Sequence, residues 1–358
     1  MINCLNLSKV YNLKIMLFRY FNRMNQDPKL LIVGHDLKFL KLVIDHLQSK
    51  KEFKIETFSY SGHTIPNKRK LLKILPEYKL IFCEWGLGNI SFLSKNKRPG
   101  QKLIARIHSQ EFRTSFLSET AWENVDKIVF VGPFMKEKFI TLFPDCKNRC
   151  IVIPNLVDTD AFNLNKKEDA HFHLGLLGIL PKLKAPHLAL DLLTELLKTD
   201  KRYKLFIKSK RPEELNWIWR NMEERAYYAN FFSNIDNLGL RDAVIFEPHD
   251  DEVNKWFRNI GFILSLSDNE SFHLAVAEGM ASGSIPIIRN WPGAKALFPN
   301  KLIFNDIQEA AALILKYSNP LTFIREGGKL KDFCAGHFSL NVLLPEYDKI
   351  LTIQANEG

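Results

Sequence analysis

Short apolar runs alternate with helical segments along almost the whole chain, and this alternation limits the available folds most strongly. In the first half, runs of strand length are separated by amphipathic stretches. Strands that alternate with helices pair in parallel, because each helix carries the chain back before the next strand begins. The predicted strands are Lys29–Gly34, Phe53–Ser59, Tyr78–Cys83, Lys102–Ile107, Lys127–Gly132 and Cys150–Asn155.

The same alternation begins again after a polar stretch, Asn163–His171. A chain of 358 residues also suits two domains better than one core. The sequence therefore predicts an α/β protein with two Rossmann-like, doubly wound domains that face a central cleft, where ligands bind at the carboxyl ends of the strands. The second set of predicted strands is His173–Gly178, Tyr203–Lys208, Val244–Glu247, Gly261–Leu266 and Ile285–Ile288, with helices over Pro186–Leu197 and Ser271–Ser282.

Four segments follow from this pattern. We place an N-terminal extension at 1–26, an N-terminal domain at 27–162, a C-terminal domain at 163–338 and a C-terminal helix at 339–358. The amphipathic pattern of that helix suits packing on the N-terminal domain. The extension is apolar but interrupted by basic residues, so no run reaches the ~20 apolar residues that span a bilayer. It fits either a basic amphipathic helix on a membrane surface or extra sequence before the first domain.

The formal net charge of +10 comes from the first half of the chain. Residues 1–160 contain 26 Lys and Arg against 15 Asp and Glu, whereas the remainder is nearly balanced. A basic half indicates an anionic partner, such as an anionic membrane surface or a polyanionic acceptor, unless the lysines only form a solvated surface. No zinc-finger or RNP-like motif points to nucleic acid. Five cysteines without zinc-like spacing or a secretory signal indicate the cytoplasm.

Two glutamates eight residues apart are the strongest functional signal. Glu270 and Glu278 lie where a predicted strand is followed by a predicted helix. Eight helical residues span about 12 Å, which is close to the separation of the sugar and the ribose in a nucleotide sugar. A helix N-terminus near Ser271 and Phe272 suits a diphosphate between them. Spacing alone equally fits a surface helix with a capping Glu270 and a solvated Glu278.

The sequence around these glutamates resembles the Glu-x7-Glu motif of the retaining family 4 glycosyltransferases, which have the GT-B fold. The similarity continues through Ile285–Ile288 and Trp291–Ala294. Upstream, Ile151–Phe162 resembles the interdomain segment of that family, and Gly178–Ala185 resembles its phosphate-binding segment. The resemblance covers about residues 29–350 and is most specific in the C-terminal half.

The resemblance implies catalytic roles for Glu270, Lys184 and His108. Glu270 would contact the transferred sugar, and Lys184 would neutralise the donor diphosphate as it leaves. His108 would reach the sugar from the N-terminal domain, although a histidine at a strand end is also a common structural residue. Donor binding would use backbone groups of Ser271 and Phe272 and the carboxylate of Glu278 at the ribose.

The chain also departs from the family pattern. Ile179 stands where the family has a phosphate-binding arginine, so Lys182, Lys208 and Lys210 become candidates for the donor side, although lysine lacks the planar guanidinium fork. We expect the base to be selected near His249. On the acceptor side the candidates are Gly34, His35, Glu84 and Trp85, and Trp85 either stacks on a sugar or packs in the core. Further departures are Leu156, Ala185 and His273.

The function implied by the resemblance is transfer of a sugar from a nucleotide-sugar donor to a glycan or lipid-linked acceptor of the bacterial cell envelope, with retention of configuration. It needs no metal or other cofactor, and it would take place in the cytoplasm or at the inner face of the membrane. Asp158–Asp160 spells a DxD metal motif but lies in the interdomain segment, so we expect no metal there. The alternatives are a nucleotide-sugar epimerase or phosphorylase on the same fold, and a non-catalytic polyanion-binding protein.

Overall fold

Two six-stranded parallel sheets organise the chain. The computed structural model describes residues 28–65 and 67–352, and the predicted extension at 1–26 lies outside them. In the N-terminal unit the strand order is β2-β1-β3-β4-β5-β6. Its strands are β1 (Lys29–Gly34), β2 (Lys54–Ser59), β3 (Leu80–Glu84), β4 (Lys102–Ile107), β5 (Lys127–Phe130) and β6 (Cys150–Val152), and its helices are α1 (Lys41–Lys50), α2 (Lys68–Ile74), α3 (Gly88–Asn96), α4 (Phe116–Glu119) and α5 (Pro133–Leu142).

The C-terminal unit repeats this plan with the strand order β12-β11-β10-β7-β8-β9. Its strands are β7 (His173–Leu177), β8 (Lys204–Lys208), β9 (Val244–Glu247), β10 (Phe262–Ser265), β11 (Ile285–Arg289) and β12 (Ile303–Phe304). Its helices are α7 (His187–Leu197), α8 (Asn216–Trp219), α9 (Met222–Asn237), α10 (Val253–Phe257), α11 (Leu274–Ala281), α12 (Ile307–Tyr317) and α13 (Pro320–Phe338), and α6 (Thr159–Phe162) precedes the unit. The predicted α/β architecture of two doubly wound sheets is confirmed.

Burial explains why the strands sit at the centre of each unit. All five residues of β3 and all four residues of β10 are buried. Continuous apolar runs of this kind belong to parallel strands that helices cover on both faces. The observed strands β1, β4 and β9 have the predicted bounds, and the other predicted strands differ from the observed ones by only a few residues at their ends.

The last helix returns to the N-terminal unit. Helix α14 (Leu340–Leu351) packs its buried residues Leu343, Tyr347 and Ile350 into one core cluster with residues of α1 and β1. His46 on α1 lies 3.1 Å from Asp348 on α14. The chain therefore passes between the two units twice. The two passages are adjacent, because the Val157 N–H donates to the Phe338 carbonyl at 2.8 Å.

One predicted helix boundary is wrong. The predicted helix Ser271–Ser282 begins only at Leu274, because the backbone of His273 adopts a left-handed conformation with φ 62°. Ser271 and Phe272 therefore lie in the loop before α11. Among the described residues, none of the helices combines the length and the apolar character needed to cross a membrane.

Candidate functional site

A cavity of about 800 Å³ lies between the two units and is lined by residues of both. Each doubly wound sheet has a point where successive connections leave in opposite directions, between β1 and β3 in one sheet and between β7 and β10 in the other. Ligands bind at such points, outside the carboxyl ends of the strands. Trp85 follows β3, and the loop after β10 carries Glu270, so both points contribute to the cavity wall.

Glu270 and Lys184 form an ion pair on the C-terminal wall of this cavity. Lys184 Nζ donates to Glu270 Oε1, which also accepts from Ser267 Oγ at 2.7 Å. Burial opposes ionisation of Glu270, but His273, the Lys184 ammonium and the Ser267 hydroxyl outweigh it and lower the pKa of this carboxyl. The site therefore holds a fixed carboxylate and a fixed cation side by side before any ligand arrives.

The turn that carries Lys184 is short. Lys184 ends the single 3₁₀ turn Lys182–Lys184, and Ala185 follows in the left-handed conformation with φ 48°. A left-handed residue after a helical turn favours glycine, because side chains with a Cβ are strained there. This agrees with the glycine that the resemblance implies at the position of Ala185.

His273 fixes the loop between Glu270 and α11. Its ring is buried, and its Nδ1 lies 2.6 Å from Ser265 Oγ, which also accepts from Trp291 Nε1 at 3.1 Å. Burial lowers the pKa of His273 to about 4, so the imidazole is neutral at neutral pH. The sequence marked this position only as a departure, and its packing shows that it shapes the loop beside Glu270.

Ser271 and Phe272 do not form the first turn of a helix. The Ser271 Oγ accepts a hydrogen bond of 2.7 Å from the backbone N–H of Ser109, so this hydroxyl joins the two walls of the cavity. The Phe272 side chain is buried in the C-terminal core. Both residues still line the cavity, and their backbone amides lie in a loop rather than at a helix N-terminus.

Glu278 lies on α11 and contributes to the same cavity. Among the residues that the structure describes, its carboxyl group has no hydrogen-bond or ion-pair partner. Burial raises the pKa of Glu278 to about 7. An acidic group without partners beside a cavity is available to hydroxyl groups of a ligand.

His108 faces the cavity from the end of β4. Its Nε2 lies 3.2 Å from Glu84 Oε1, and its ring stacks on Trp85 with 4.0 Å between the centroids. Glu84 is fully buried and also lies 3.3 Å from Nη1 of the fully buried Arg106. Arg106 Nη2 in turn donates to Asn155 in the interdomain segment. A buried ionic network thus fixes the His108 ring.

The predicted acceptor residues are only partly brought together. Trp85 lines the cavity, whereas Glu84 lies beneath it in the network with Arg106 and is not part of the lining. Gly34 and His35 are also outside the lining. A Cβ at Gly34 would lie 2.9 Å from the Glu84 carbonyl oxygen, so glycine is required there for strand packing.

The predicted cations on the donor side point elsewhere. Lys182 Nζ pairs with Glu223 at 2.6 Å on the outer surface, and Lys208 Nζ pairs with Asp250 at 2.6 Å. Neither residue lines the cavity, whereas His249 does. The position of a lysine in a strand or turn does not show which way its long side chain points. Both lysines pair with nearby carboxylates and do not reach the cavity.

Two cations that sequence reasoning missed line the cavity from the N-terminal unit. They are Lys38 and Arg113, which follow β1 and β4 within a few residues. Both residues follow the carboxyl end of a parallel strand, where ligands bind, and this position in the sequence could have identified them as candidates. Ile179, where the family pattern has arginine, is fully buried in the C-terminal core.

No cluster of three or more metal-ligating side chains is present in the described part of the chain. Asp158, the first residue of the DxD sequence, accepts from the Ala161 N–H at 3.1 Å and caps α6. This capping contact gives Asp158 a structural role in the interdomain segment.

We expect Glu84→Gln to lower the free energy of unfolding by about 3 kcal/mol, because it leaves Arg106 buried without its counter-charge. Urea denaturation of both proteins measures this difference. Glu77→Gln is the control, since the exposed pair of Glu77 and Lys29 at 2.7 Å should contribute less than about 1 kcal/mol. Equal stability losses in the two variants would show that the buried network is not a major stabilising element.

No protein-family model matches this sequence, and no curated protein shows significant similarity to it. Solved structures do superpose on it. HepE from Anabaena in complex with UDP and glucose has a TM-score of 0.70 at 14% identity, over 90% of this chain and 99% of that one. A glycosyltransferase from Rickettsia africae has a TM-score of 0.70 at 15% identity, over 93% and 100%.

A third similar structure is the sucrose-phosphate synthase from Thermosynechococcus elongatus, with a TM-score of 0.68 at 12% identity over 90% of this chain and 98% of that one. At such identities the likeness concerns the fold. All three align over nearly their whole length, so both units and their arrangement are shared. The chain therefore has the GT-B fold.

Proposed function

We propose that this chain is a retaining glycosyltransferase of the family 4 type, which moves a sugar from a nucleotide-sugar donor to a glycan or lipid-linked acceptor. The observation that carries the proposal is the Lys184–Glu270 pair in the wall of a cavity that His108 and Trp85 line from the other unit. The similar HepE structures contain UDP with glucose, or UDP-glucose, which supports a UDP-sugar as the first donor to test.

The donor would lie along the C-terminal wall. Glu270 accepts hydrogen bonds from hydroxyls of the transferred sugar, and Lys184 neutralises the diphosphate together with the backbone amides of Ser271 and Phe272. Glu278 accepts from the ribose hydroxyls. Because Lys184 and Glu270 are already paired in the structure, little reorganisation is needed when charge develops on the leaving group.

Transfer then takes place on one face of the sugar. The acceptor hydroxyl attacks the anomeric carbon from the side on which the nucleoside diphosphate departs. The bond from that carbon to the phosphate oxygen breaks as the bond to the acceptor oxygen forms, and the hydroxyl proton passes to the departing phosphate. Configuration is retained, and Lys184 stabilises the charge that accumulates on the diphosphate. His108, held by Glu84, contacts the sugar from the N-terminal wall.

A thermal-shift screen with UDP, GDP, ADP and CMP tests the donor, because a specific ligand raises the apparent stability of the protein. The matching nucleotide sugar is then incubated with and without acceptor glycans, and NMR gives the anomeric configuration of the product. An epimerase forms product without acceptor, and a phosphorylase requires phosphate. Two results together would contradict the proposal: no nucleotide stabilises the protein, and the protein binds polyanions with an affinity that falls steeply with salt concentration. The protein would then be a polyanion-binding protein.

We further propose that the enzyme works in the cytoplasm, with its basic N-terminal half on the anionic inner face of the membrane. Helix α2 supports this, because Lys68, Arg69, Lys70 and Lys73 are exposed there and have no acidic partner among the described residues. Polybasic surfaces of this kind bind anionic lipids. The protein should co-sediment strongly with phosphatidylglycerol vesicles and weakly with phosphatidylcholine vesicles, and salt should reduce the binding. Equal binding to the two kinds of vesicle would contradict membrane docking.

A further inference from the structure

Helix α8 holds two tryptophans on opposite sides of a buried residue. Ile218 is fully buried, and Trp217 and Trp219 flank it in the sequence. Residues two apart on a helix point roughly 200° apart, so the two indoles leave the helix on different sides. Trp217 lines the cavity between the units, whereas Trp219 lines a separate hollow with Phe232 and Arg211.

The exposure of Trp217 is the unusual feature. Its indole is 60% exposed although it is part of a cavity wall. Ile218 points into the C-terminal core, so the neighbouring Trp217 leaves the helix on another side. Large exposed apolar surfaces in a cleft mark places that a ligand covers, and an indole offers a flat face for stacking.

Sheet order indicates which part of a ligand reaches Trp217. The strands are arranged in the order β10-β7-β8-β9. Glu270 follows β10, Lys184 follows β7, Trp217 follows β8 and His249 follows β9. Strands in a sheet lie about 4.8 Å apart, so the connection that carries Trp217 leaves the sheet two strands away from the one that carries Glu270, with the connection of Lys184 between them. A nucleotide sugar with its sugar at Glu270 and its diphosphate at Lys184 therefore extends its base toward Trp217.

The chemistry of this end of the site agrees with a base. The cavity residues contributed after β8 and β9 are Trp217, His249 and Val253, which carry no permanent charge. We infer that the nucleobase of the donor stacks on the indole of Trp217. This inference rests on the proposed function and adds the residue that holds the base.

The test compares Trp217→Ala with Trp219→Ala, a control on the same helix whose ring faces the other hollow. Calorimetry measures the Kd of each variant for UDP and for pyrophosphate, which lacks the base; GDP, ADP or CMP replaces UDP if the wild type prefers it. We expect Trp217→Ala to weaken UDP binding by about 10-fold, the size of one lost base–aromatic stack. Its Kd for pyrophosphate should not change, and Trp219→Ala should match the wild type with both ligands.

A second measurement guards against misfolding of the alanine variant. Trp217→Phe keeps an aromatic face and should bind UDP within about threefold of the wild type, while UDP quenches its tryptophan fluorescence much less, because Trp85 is then the tryptophan that still lines the cavity. Trp219→Phe should retain that quenching. Unchanged UDP affinity in Trp217→Ala, or an equal loss for UDP and pyrophosphate, would overturn the inference and leave the proposed function intact. Failure of the wild type to bind any nucleotide would overturn both.

Discussion

Lys184→Ala should lower turnover by about 100- to 1000-fold while changing the Kd of the nucleotide sugar much less. In the proposed mechanism Lys184 stabilises charge that appears on the diphosphate as the sugar departs, and loss of one such stabilising group has an effect of this size. Release of nucleoside diphosphate, with water or a glycan as acceptor, measures turnover, and calorimetry measures the Kd.

Lys182→Ala is the matched control for this prediction. Lys182 belongs to the same 3₁₀ turn, but its ammonium group pairs with Glu223 outside the cavity. We expect its turnover to equal that of the wild type. Equal losses in the two variants would mean that the turn is only a structural element, and full activity of Lys184→Ala would remove the lysine from the mechanism.

Glu278→Ala should weaken binding of the nucleotide sugar by about 10- to 100-fold and leave turnover at saturation nearly unchanged. Hydrogen bonds from ribose hydroxyls to a carboxylate are charge-assisted, and losing them costs about 1.5–3 kcal/mol. Calorimetry with the nucleotide sugar checks this prediction. Wild-type affinity in Glu278→Ala would show that the ribose is held elsewhere.

The pH dependence of binding gives an independent check on Glu278. With its pKa raised to about 7 by burial, this carboxyl is mostly protonated below pH 7 before a ligand binds. A bound ribose needs the ionised form, so binding releases a proton, and affinity should fall about tenfold per pH unit below pH 7 and level off above it. A nucleotide sugar is the right ligand, because its diphosphate diester stays ionised over this range. Glu278→Gln should give a weak, flat profile, and a flat wild-type profile would refute the assignment.

The protonation of Glu278 also affects stability. The unfolded chain ionises this group near its ordinary pKa of 4.5, whereas the folded protein keeps the proton up to about pH 7. The folded state is therefore favoured at low pH, and the contribution of Glu278 to stability declines as the pH rises from 4.5 to 7. Replacement by Gln should remove this decline in a series of denaturation curves.

Much of the fold could be predicted because buried parallel strands are apolar along their whole length. The strands β1 and β4 were placed at their observed bounds for this reason, since five of the six residues in each are buried. Helix α13 was missed, since Gly327, Gly328 and Gly336 interrupt its pattern. Gly327 is there for packing, as a Cβ would lie 2.5 Å from the Gly283 carbonyl oxygen. Such close contacts between distant segments cannot be seen in the sequence.

The site was harder to predict than the fold. Motif similarity selected Glu270, Glu278, Lys184 and His108, and the structure gathers all four around one cavity. Their roles stay predictions. The side chains of Lys182 and Lys208 do not reach the cavity. Each pairs with a carboxylate from another segment of the chain, and the sequence does not show which carboxylates will be neighbours. Lys38, Arg113 and Trp217 reach the cavity from connections whose course only the folded chain reveals.

The two adjacent passages of the chain between the units form one connection, about which the cleft would open. Because Val157 and Phe338 are hydrogen-bonded neighbours, rotation about this point widens or narrows the cleft without stretching either passage. Rotation would break the Ser109–Ser271 hydrogen bond, which contributes about 1 kcal/mol, and would also separate Gly132 from Ser271 and Phe134 from Gly293, which pack closely across the cleft. A ligand that touches both walls would add to these contacts and hold the two halves together.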